Sequence, residues 1–429
     1  MASLQKIIDG LKELETERLK CMRCGFCQNY CPMYGETQKE YDVSRGKVAL
    51  LNNMADQLLD DAEGLAEKLD RCLLCGSCQA NCPSATPTLN IFIKARALVA
   101  EYRGLSPIKK LVFRALLPNP KRFDWALKAG ALGQGIVFRK VKDAQQKTAK
   151  APMLAPFIGD RHIRPLPDKP LHEKYRNLDT PAGKSGLKVV FYPGCVADRM
   201  YTTMGEACIK ALQHHGVGIF FPADFACCGM PSLASGDMTG FEMQVRQNLA
   251  VLAGRTYDYI VTPCGSCTSA IAEMWKEMGT FTDAEREQLK AIAAKAIDIN
   301  AFLVDVLGVK AAEPKDGATP VTYHDPCHLK KGLGVSAQPR ELIKANAGYT
   351  LKEMEESDRC CGCGGSFNLF HYDVSKNIGQ KKRDLIVETG APIVATACPA
   401  CMMQLIDTLS RNGDKVDVKH AIELYAESL

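Results

Sequence analysis

Short apolar runs and longer amphipathic stretches alternate through the C-terminal half of the chain. The runs LKVVFYPGC, YDYIVTPCGSC, TPVTYHDPC and APIVATACPAC are rich in β-branched and aromatic residues, which favour strands. Stretches such as GEACIKALQHHG and SAIAEMWKEMG have the apolar spacing of amphipathic helices. Strands that alternate with helices predict α/β units, each built on a largely parallel sheet.

Residues 1–103 show a helical pattern. The segment SRGKVALLNNMADQLLDDAEGLAEKLDRC is rich in Leu, Ala, Glu and Asp, and its apolar residues repeat with a period near 3.6. Ser44, at the start of this segment, is a candidate helix N-cap. We therefore expect an α-helical N-terminal domain. No stretch of about 18 apolar residues predicts a membrane-spanning helix, and the first residues lack the apolar region of a secretory signal.

Residues 104–142 form a basic, amphipathic segment that prolines divide in two. Residues 101–150 contain 12 Lys and Arg against 3 Asp and Glu, whereas the whole chain has a net charge of only +5. Helical spacing in the first half predicts an apolar face of Ile108, Leu111, Val112, Ala115 and Leu116, opposite a basic face of Lys109, Lys110 and Arg114. Two interpretations stay open: an interfacial helix pair that binds anionic lipid, or a helical linker packed on this protein or on a partner. Nucleic-acid binding is not expected. Residues 143–186, rich in Pro, Lys and Asp, are predicted to form an extended linker.

The cysteine content changes the picture from an ordinary globular protein to a metalloprotein. The chain has 20 cysteines and no visible secretory signal. Cysteine-rich proteins of reducing compartments use their thiols for metals or catalysis rather than for disulfides. We therefore expect a cytoplasmic location. Under the lipid-binding interpretation, this becomes a peripheral position on the inner face of the membrane.

Two cysteine runs in the N-terminal domain share the pattern C-x2-C-x2-C-x3-C-P. The first run consists of Cys21, Cys24, Cys27 and Cys31, and the second of Cys72, Cys75, Cys78 and Cys82. This spacing is typical of bacterial ferredoxins with cubane [4Fe–4S] clusters, in which the fourth cysteine of each run binds the other cluster. We therefore assign Cys82 to the cluster of the first run and Cys31 to that of the second. Zinc sites are usually built from C-x2-C pairs, which neither run matches.

The C-terminal half contains one cysteine pattern twice. The copies read C-x31-C-C-x35-C-x2-C and C-x32-C-C-x36-C-x2-C, and corresponding cysteines are 132 to 134 residues apart. The first cysteine and the C-x2-C pair of each copy follow predicted strands, and ligand sites of parallel sheets gather at the carboxyl ends of strands. The five cysteines of a copy can therefore converge, and the glycine after each vicinal pair permits a tight turn. Structural thiols or zinc are the alternative for these ten residues.

This duplicated pattern resembles the cysteine-rich CCG domain of heterodisulfide reductases and related iron–sulfur subunits. The resemblance implies that the five cysteines of a complete copy hold a noncubane [4Fe–4S] cluster, in one copy or in both. One set would be Cys195, Cys227, Cys228, Cys264 and Cys267, and the other Cys327, Cys360, Cys361, Cys398 and Cys401. Cys363 has no counterpart, because Met230 is at the equivalent position. It is either a spare ligand or a buried thiol.

The order of domains resembles three related groups of proteins. They are the iron–sulfur subunits of glycolate oxidase and D-lactate dehydrogenase, the corresponding iron–sulfur subunit of anaerobic glycerol-3-phosphate dehydrogenase, and the catalytic subunit of membrane-linked heterodisulfide reductase. We expect an α-helical ferredoxin domain (1–103), the connector and linker (104–186) and two CCG domains (187–312 and 313–429). The motifs C-G-F-C…C-P-M-Y, S-R-G-K-V-A-L and C-P-S-A-T favour the first group.

The resemblance to the first group implies an electron-transfer subunit. A separate FAD-containing dehydrogenase would oxidise a 2-hydroxy acid, and electrons would pass through this chain toward a quinone or another carrier. The two complete CCG copies and Cys363 resemble the heterodisulfide branch instead, so disulfide reduction stays open. Catalytic residues are not assigned. His324 and His328, which flank Cys327, are either donors near a cluster or structural residues.

Overall fold

The computed structural model describes residues 3–141, 148–151 and 159–429. Residues 3–103 form a helical domain, as the sequence predicts. Its helices are Leu4–Lys12, Glu15–Leu19, Pro32–Thr37, Ser44–Ala55, Ala62–Asp70, Ser77–Ala80 and Thr88–Arg103, with 3-10 turns at Phe26–Gln28 and Glu40–Asp42. Ile7, Leu51, Leu65 and Ile91 from these helices share one apolar core. The prediction that Ser44 caps its helix was wrong: Val43 occupies the N-cap position and Ser44 is the first helical residue.

The connector packs against the protein with a face that the sequence did not predict. Its helical segments are Pro107–Lys110, the π-helical Leu111–Leu116 and Pro120–Val137. Phe113 and Leu117 are buried, whereas Ile108 and Leu111 are 74% and 57% exposed. The switch from α to π geometry rotates the following residues, so a regular 3.6-residue period misplaces the buried face.

Arg114 was expected on the basic outer surface, and this was also wrong. Its guanidinium forms a bidentate pair with the buried carboxylate of Asp237, at 2.8 Å and 3.0 Å. The second half of the connector makes a further ionic contact through Asp124, which pairs with Arg199 at 2.7 Å. The connector is therefore fixed to the first CCG copy by two charge pairs.

The described part of the linker lies on both CCG copies. Arg161 and His162 are buried, and they bond to Asn368 and Asp407 of the second copy. The linker then reaches the first copy, where the short helix Leu171–Lys174 packs. Proline and charge patterns predict the absence of regular structure, but they do not show whether a segment is docked.

The two CCG copies are α/β units on separate sheets. The strands of the described residues are β1 (Arg139–Lys140), β2 (Ala149–Lys150), β3 (Leu178–Asp179), β4 (Lys188–Phe191), β5 (Gly218–Phe221), β6 (Tyr259–Thr262), β7 (Ala296–Asp298), β8 (Thr319–His324), β9 (Tyr349–Leu351), β10 (Ile393–Thr396) and β11 (Asp417–His420). The first sheet has the order β3-β5-β4-β6-β7, with only β3 antiparallel. The second has the order β11-β10-β8-β9 and is parallel throughout.

Helices cover the two sheets. In the first copy they are Gly194–Arg199, Thr202–His214, Met230–Ala234, Met238–Leu252, Gly265–Ser269, Ala270–Met274, Trp275–Glu277, Asp283–Ala293, Ile299–Ala301 and Phe302–Val306. In the second they are His328–Gly332, Ala337–Lys344, Ser366–Phe370, Tyr372–Glu388, Pro399–Asn412 and Ala421–Ala426. The last helix packs on Thr202–His214 of the first copy, which joins the copies side by side. Within the described ranges, no helix is long and apolar enough to cross a bilayer.

Candidate functional site

The cysteines of the N-terminal domain line two neighbouring cavities. One cavity is lined by Cys21, Cys24, Cys27 and Cys82, and the other by Cys31, Cys72, Cys75 and Cys78. The fourth cysteine of each run therefore lies with the first three of the other run. Cys78 borders both cavities, so the two groups of thiols are adjacent.

The five cysteines of the first CCG copy converge beyond the carboxyl ends of β4 and β6. Cys195 Sγ lies 3.8 Å from Cys227 Sγ. The Cys228 thiol contacts those of Cys227 and Cys267, and the Cys264 thiol contacts that of Cys267. The chain segments approach closely here: a Cβ added at Gly194 would lie 2.7 Å from Cys267 Sγ.

The second copy repeats this arrangement beyond β8 and β10. The Cys361 thiol contacts those of Cys360 and Cys401, and the Cys398 thiol also contacts that of Cys401. Cys327 faces the same group from the end of β8. Four of the five thiols are buried, and Cys327 is partly exposed.

The turn after each vicinal pair requires glycine. Gly229 and Gly362 have φ values of +91° and +93°, which side chains other than glycine rarely adopt. A Cβ at Gly229 would also come within 2.4 Å of the Phe241 ring. The turn reverses the chain directly after the two thiols, so both can face the same group.

Two contacts join the cysteine groups into one continuous row. The thiols of Cys75 and Cys360 are hydrogen-bonded to each other, which places the second ferredoxin run against the second CCG copy. A second hydrogen bond, between the thiols of Cys264 and Cys398, joins the two CCG copies. The order in space is therefore the first run, the second run, the second CCG copy and the first CCG copy. Chain order alone would place the first copy before the second.

The donor sets suit iron–sulfur clusters better than single metal ions. The two adjacent ferredoxin cavities share eight thiols, and each CCG group supplies five, more than the four ligands of a zinc site. All the cysteines are free of disulfides. Thiolates and inorganic sulfide form the coordination shell of [4Fe–4S] clusters, and hydrogen-bond donors around the sulfurs stabilise them. The residues present fit the clusters that the sequence predicts.

Sequence reasoning missed the hydroxyl and amide groups that surround the thiols. Thr88 Oγ1 lies 3.2 Å from Cys78 Sγ, and Ser77 Oγ lies 3.4 Å from Cys75 Sγ. The backbone N–H of Thr86 donates to Cys82 Sγ at 3.5 Å. Thr86 and Thr88 come shortly after the C-P ending of the second run. This closeness in sequence to predicted cluster ligands could have identified them as hydrogen-bond donors to the sulfurs.

Buried lysines place positive charge beside the thiols. Lys331 donates to Ser77 Oγ at 2.7 Å, between the second run and the second CCG copy. Lys382 is fully buried, donates to the carbonyls of Glu356 and Ser357, and has its pKa lowered to about 8 by burial. Lys47 is buried against the second run, where burial lowers its pKa. These cations offset the negative charge of thiolate-bound clusters.

The two CCG copies have different ionic networks beside their first cysteines, Cys195 and Cys327. In the first copy, burial opposes the charge of His172, but its bonds to Asp124 and Asp198 raise its pKa to about 9. In the second copy, burial opposes the charge of Asp325, but Arg340 lowers its pKa to about 2. Asp325 is also bonded to Ser336 and Ser357.

Four further cysteines and histidines lie as follows. Cys208 is a fully buried core residue away from the thiol row. His215 caps its helix and bonds to Tyr425 Oη of the second copy at 2.8 Å. His328 Nε2 bonds to the carbonyl of Leu74 at 3.0 Å. Cys363 is buried beside the second group.

Two family models match the chain. The 4Fe-4S dicluster domain matches residues 17–86, and the CCG cysteine-rich domain matches residues 189–272 and 321–406. Each CCG match contains all five cysteines of one copy and the central strands of its sheet.

Curated relatives extend the similarity over nearly the full chain. A protein of Bacillus subtilis named "Probable glycolate oxidase iron-sulfur subunit" is 30% identical over 96% of this chain and 94% of its own length. A subunit of the CoM/CoB fumarate reductase of Methanothermobacter marburgensis is 26% identical over 96% of this chain and 72% of its own. Lactate utilization protein A of an Exiguobacterium species is 30% identical over 56% of this chain and 98% of its own.

One solved structure shares the fold. The crystal structure of a hypothetical protein from Helicobacter pylori superposes with a TM-score of 0.51 over 100% of this chain and 77% of the other. The sequences are 10% identical, so this likeness concerns the fold alone.

Proposed function

This chain belongs to the family of glycolate oxidase and lactate utilization iron–sulfur proteins, and from that premise we propose that it carries electrons for a 2-hydroxy-acid dehydrogenase. Its cofactors are [4Fe–4S] clusters. A separate FAD-containing subunit would oxidise glycolate or D-lactate, and this chain would pass the electrons toward a quinone or another carrier. The continuous row of thiols is the observation that carries the proposal.

We assign the ligands by the groups in which the thiols lie. Cys21, Cys24, Cys27 and Cys82 would hold one cubane cluster, and Cys31, Cys72, Cys75 and Cys78 the other. The cysteine groups of the CCG copies would each hold a noncubane cluster. The clusters would supply one-electron carriers, and the chain's own residues would hold them in one row and donate hydrogen bonds to their sulfurs.

The decisive experiment reduces the clusters through the partner. The full chain, purified anaerobically with its flavoprotein, is mixed with D-lactate or glycolate, and cluster reduction is followed by electron paramagnetic resonance. We expect reduction by one of the two acids with the flavoprotein present and none with the chain alone. Failure of both acids to reduce the clusters, although dithionite does, would contradict the proposal.

Disulfide reduction is the second candidate function, because both CCG copies are complete and partly open at Cys195 and Cys327. In a reductase of this type, the isolated chain with a reduced viologen dye would cleave a heterodisulfide. Glycerol 3-phosphate in place of the hydroxy acid tests the relation to the anaerobic glycerol-3-phosphate dehydrogenase. A positive result in either assay, with inert hydroxy acids, would replace our assignment.

The connector is the proposed contact with a membrane surface. Ile108, Leu111 and Trp125 are exposed, the last by 75%, and Lys110 and Lys121 lie on the same exposed segment. The other tryptophan of the chain, Trp275, is buried and serves as an internal reference. Vesicles of anionic lipid should shift Trp125 fluorescence to shorter wavelength and neutral vesicles should not. An unchanged spectrum in the Trp275→Phe variant would rule this contact out.

A further inference from the structure

A cavity of about 310 Å³ lies where the helical domain, the connector and both CCG copies meet. Leu69, Cys72 and Val99 line it from the helical domain, Ser235 from the first copy, and Phe367 from the second. The cavity is separate from the two that the ferredoxin thiols surround, although Cys72 borders both it and the cavity of the second run. A small molecule held there would adjoin an electron-carrying group.

The walls of this cavity are aromatic and carry hydrogen-bond donors. The rings of Phe367 and His371 lie 4.9 Å apart, and Lys109 Nζ lies 4.3 Å from the centre of the Phe370 ring. Ser106 and Ser366 also line the cavity. Such a lining suits a planar, apolar ring that bears hydrogen-bond acceptors.

Exposed apolar side chains lie close to the cavity in the sequence of its lining segments. Leu369 and Phe370 are 58% and 55% exposed, and Ile108 and Leu111 are exposed on either side of Lys109 in the connector. Binding of a small anion in this cavity is disfavoured, because the Asp70 carboxylate lines it and the guanidinium groups of Arg96 and Arg103 already have partners. Arg96 donates to backbone carbonyls, and Arg103 pairs with Glu63 and Asp70.

We propose that this cavity binds the ring of a quinone, with Lys109 donating to one of its carbonyl oxygens. The proposal rests on the proposed function and names where its acceptor binds. A bound quinone takes up two electrons and two protons and leaves as the quinol. The electrons come from the hydroxy acid that the partner oxidises, and the protons come from solvent at the cavity mouth.

The test measures binding by calorimetry on the full chain with its clusters, without the partner. The probe is 2,3-dimethyl-1,4-naphthoquinone, whose blocked ring carbons do not react with thiols. Leu105→Trp should narrow the cavity and weaken binding about tenfold, and Lys109→Gln should weaken it about fivefold. Leu111→Trp and Lys110→Gln make the same changes just outside the cavity and should leave the affinity within about twofold.

Each outcome decides the proposal. Absence of saturable binding, or equal affinities in all four variants, would overturn it, and so would competition by inorganic phosphate, which would indicate an anion site. Cluster reduction by the hydroxy acid through the flavoprotein does not require quinone. If the hydroxy acid does not reduce the clusters but the quinone still binds, the proposed function is wrong and the quinone site is retained.

A second inference concerns His324, at the end of β8. Its side chain is 1% exposed, and its ring lies against the Cys361 thiol, with which it shares a hydrogen bond. A ring nitrogen and the sulfurs of Cys361 and Cys401 all lie within 4.8 Å of one another. The buried ring therefore faces two of the sulfurs that would bind the cluster of the second copy.

The first copy has no such group. Tyr192 is at the position equivalent to His324, and its hydroxyl donates to the carbonyl of Ala226 at 2.7 Å. We infer that His324 donates an N–H to a sulfur of the cluster in the second copy, acting as a positioning and tuning residue. Hydrogen bonds to cluster sulfurs raise the reduction potential. The second-copy cluster should therefore be easier to reduce than that of the first.

The variant His324→Tyr gives the second copy the residue of the first. We expect one set of resonance signals to move to a more negative midpoint potential and the ¹⁵N coupling from labelled histidine to disappear. His324→Gln keeps an N–H donor and should restore part of the shift. His328→Gln removes the neighbouring ring, which bonds to Leu74, and should change neither. Unchanged potentials and coupling in His324→Tyr, with full iron content, would overturn the inference.

Discussion

The two CCG copies share their topology and their five-cysteine pattern but differ in what surrounds the thiols. The first copy lies at the end of the thiol row and contacts one other group, through Cys264 and Cys398. The second lies in the middle, with contacts on both sides, through Cys360 and Cys398. The second also has His324 and Cys363, where the first has Tyr192 and Met230. The two copies thus share their five cysteines, while one copy lies at the end of the thiol row and the other in its middle.

The largest expected effect separates these two positions. Cys228→Ala and Cys361→Ala should each lose about four of about sixteen irons, because each removes a central ligand of one group. In Cys228→Ala, the second-copy cluster should still be reduced through the partner. We expect electrons to enter at the first run, so in Cys361→Ala the first-copy cluster should stay oxidised, because the middle of the row is broken. Iron analysis and resonance spectra after substrate reduction check both, with Cys208→Ala as the control that keeps all its iron.

The next effect concerns the ionic network of the second copy. Arg340→Met leaves the buried Asp325 carboxylate without its bidentate partner and should destabilise the protein by about 3 kcal/mol. Arg246→Met breaks an exposed pair of the first copy, with Glu285, and should cost less than about 1 kcal/mol. Thermal unfolding with intact clusters measures both. Equal losses would mean that Asp325 is balanced by its other partners.

The stability contributed by His172 in the first copy should fall as the pH rises, whereas the stability contributed by Asp325 in the second copy should fall as the pH drops. The pKa of His172 is raised from 6.5 to about 9, so its stabilisation is complete below about 6.5 and disappears as the pH rises through about 9. Asp325 has a lowered pKa, so its stabilisation is present above 3.8 and disappears towards about 2. Melting temperatures measured from neutral to alkaline pH should fall in the parent protein. The melting temperature of His172→Gln should be lower at neutral pH and should change less as the pH rises. Parallel curves of melting temperature against pH for the two proteins would contradict this role of His172.

The smallest effect is expected at Cys363. Cys363→Ala removes a buried sulfur and should lower the stability by about 1 kcal/mol, with the iron content unchanged. This outcome would identify Cys363 as a packed thiol. A loss of about four irons would instead make it a ligand of the second group.

Sequence spacing predicted the cysteine groups because each depends on local chain geometry. The strand before Cys195 and the turn at Gly229 are encoded within a few residues, and the repeat predicts them a second time. The bond between Cys75 and Cys360 depends on how whole domains dock, which no local pattern records. The same holds for Arg114, whose partner Asp237 is 123 residues away.

Arg96 connects parts of the molecule that are made at different times. Its buried guanidinium donates to the carbonyls of Leu69 and Cys72 in the helical domain and to that of Ala234 in the first CCG copy. During synthesis, the N-terminal runs emerge more than a hundred residues before that last acceptor exists. The thiols of Cys264, Cys360 and Cys398 are enclosed once the parts have docked, so we expect cluster insertion to precede closure. Maturation of this protein would then depend on the order in which its domains fold and dock.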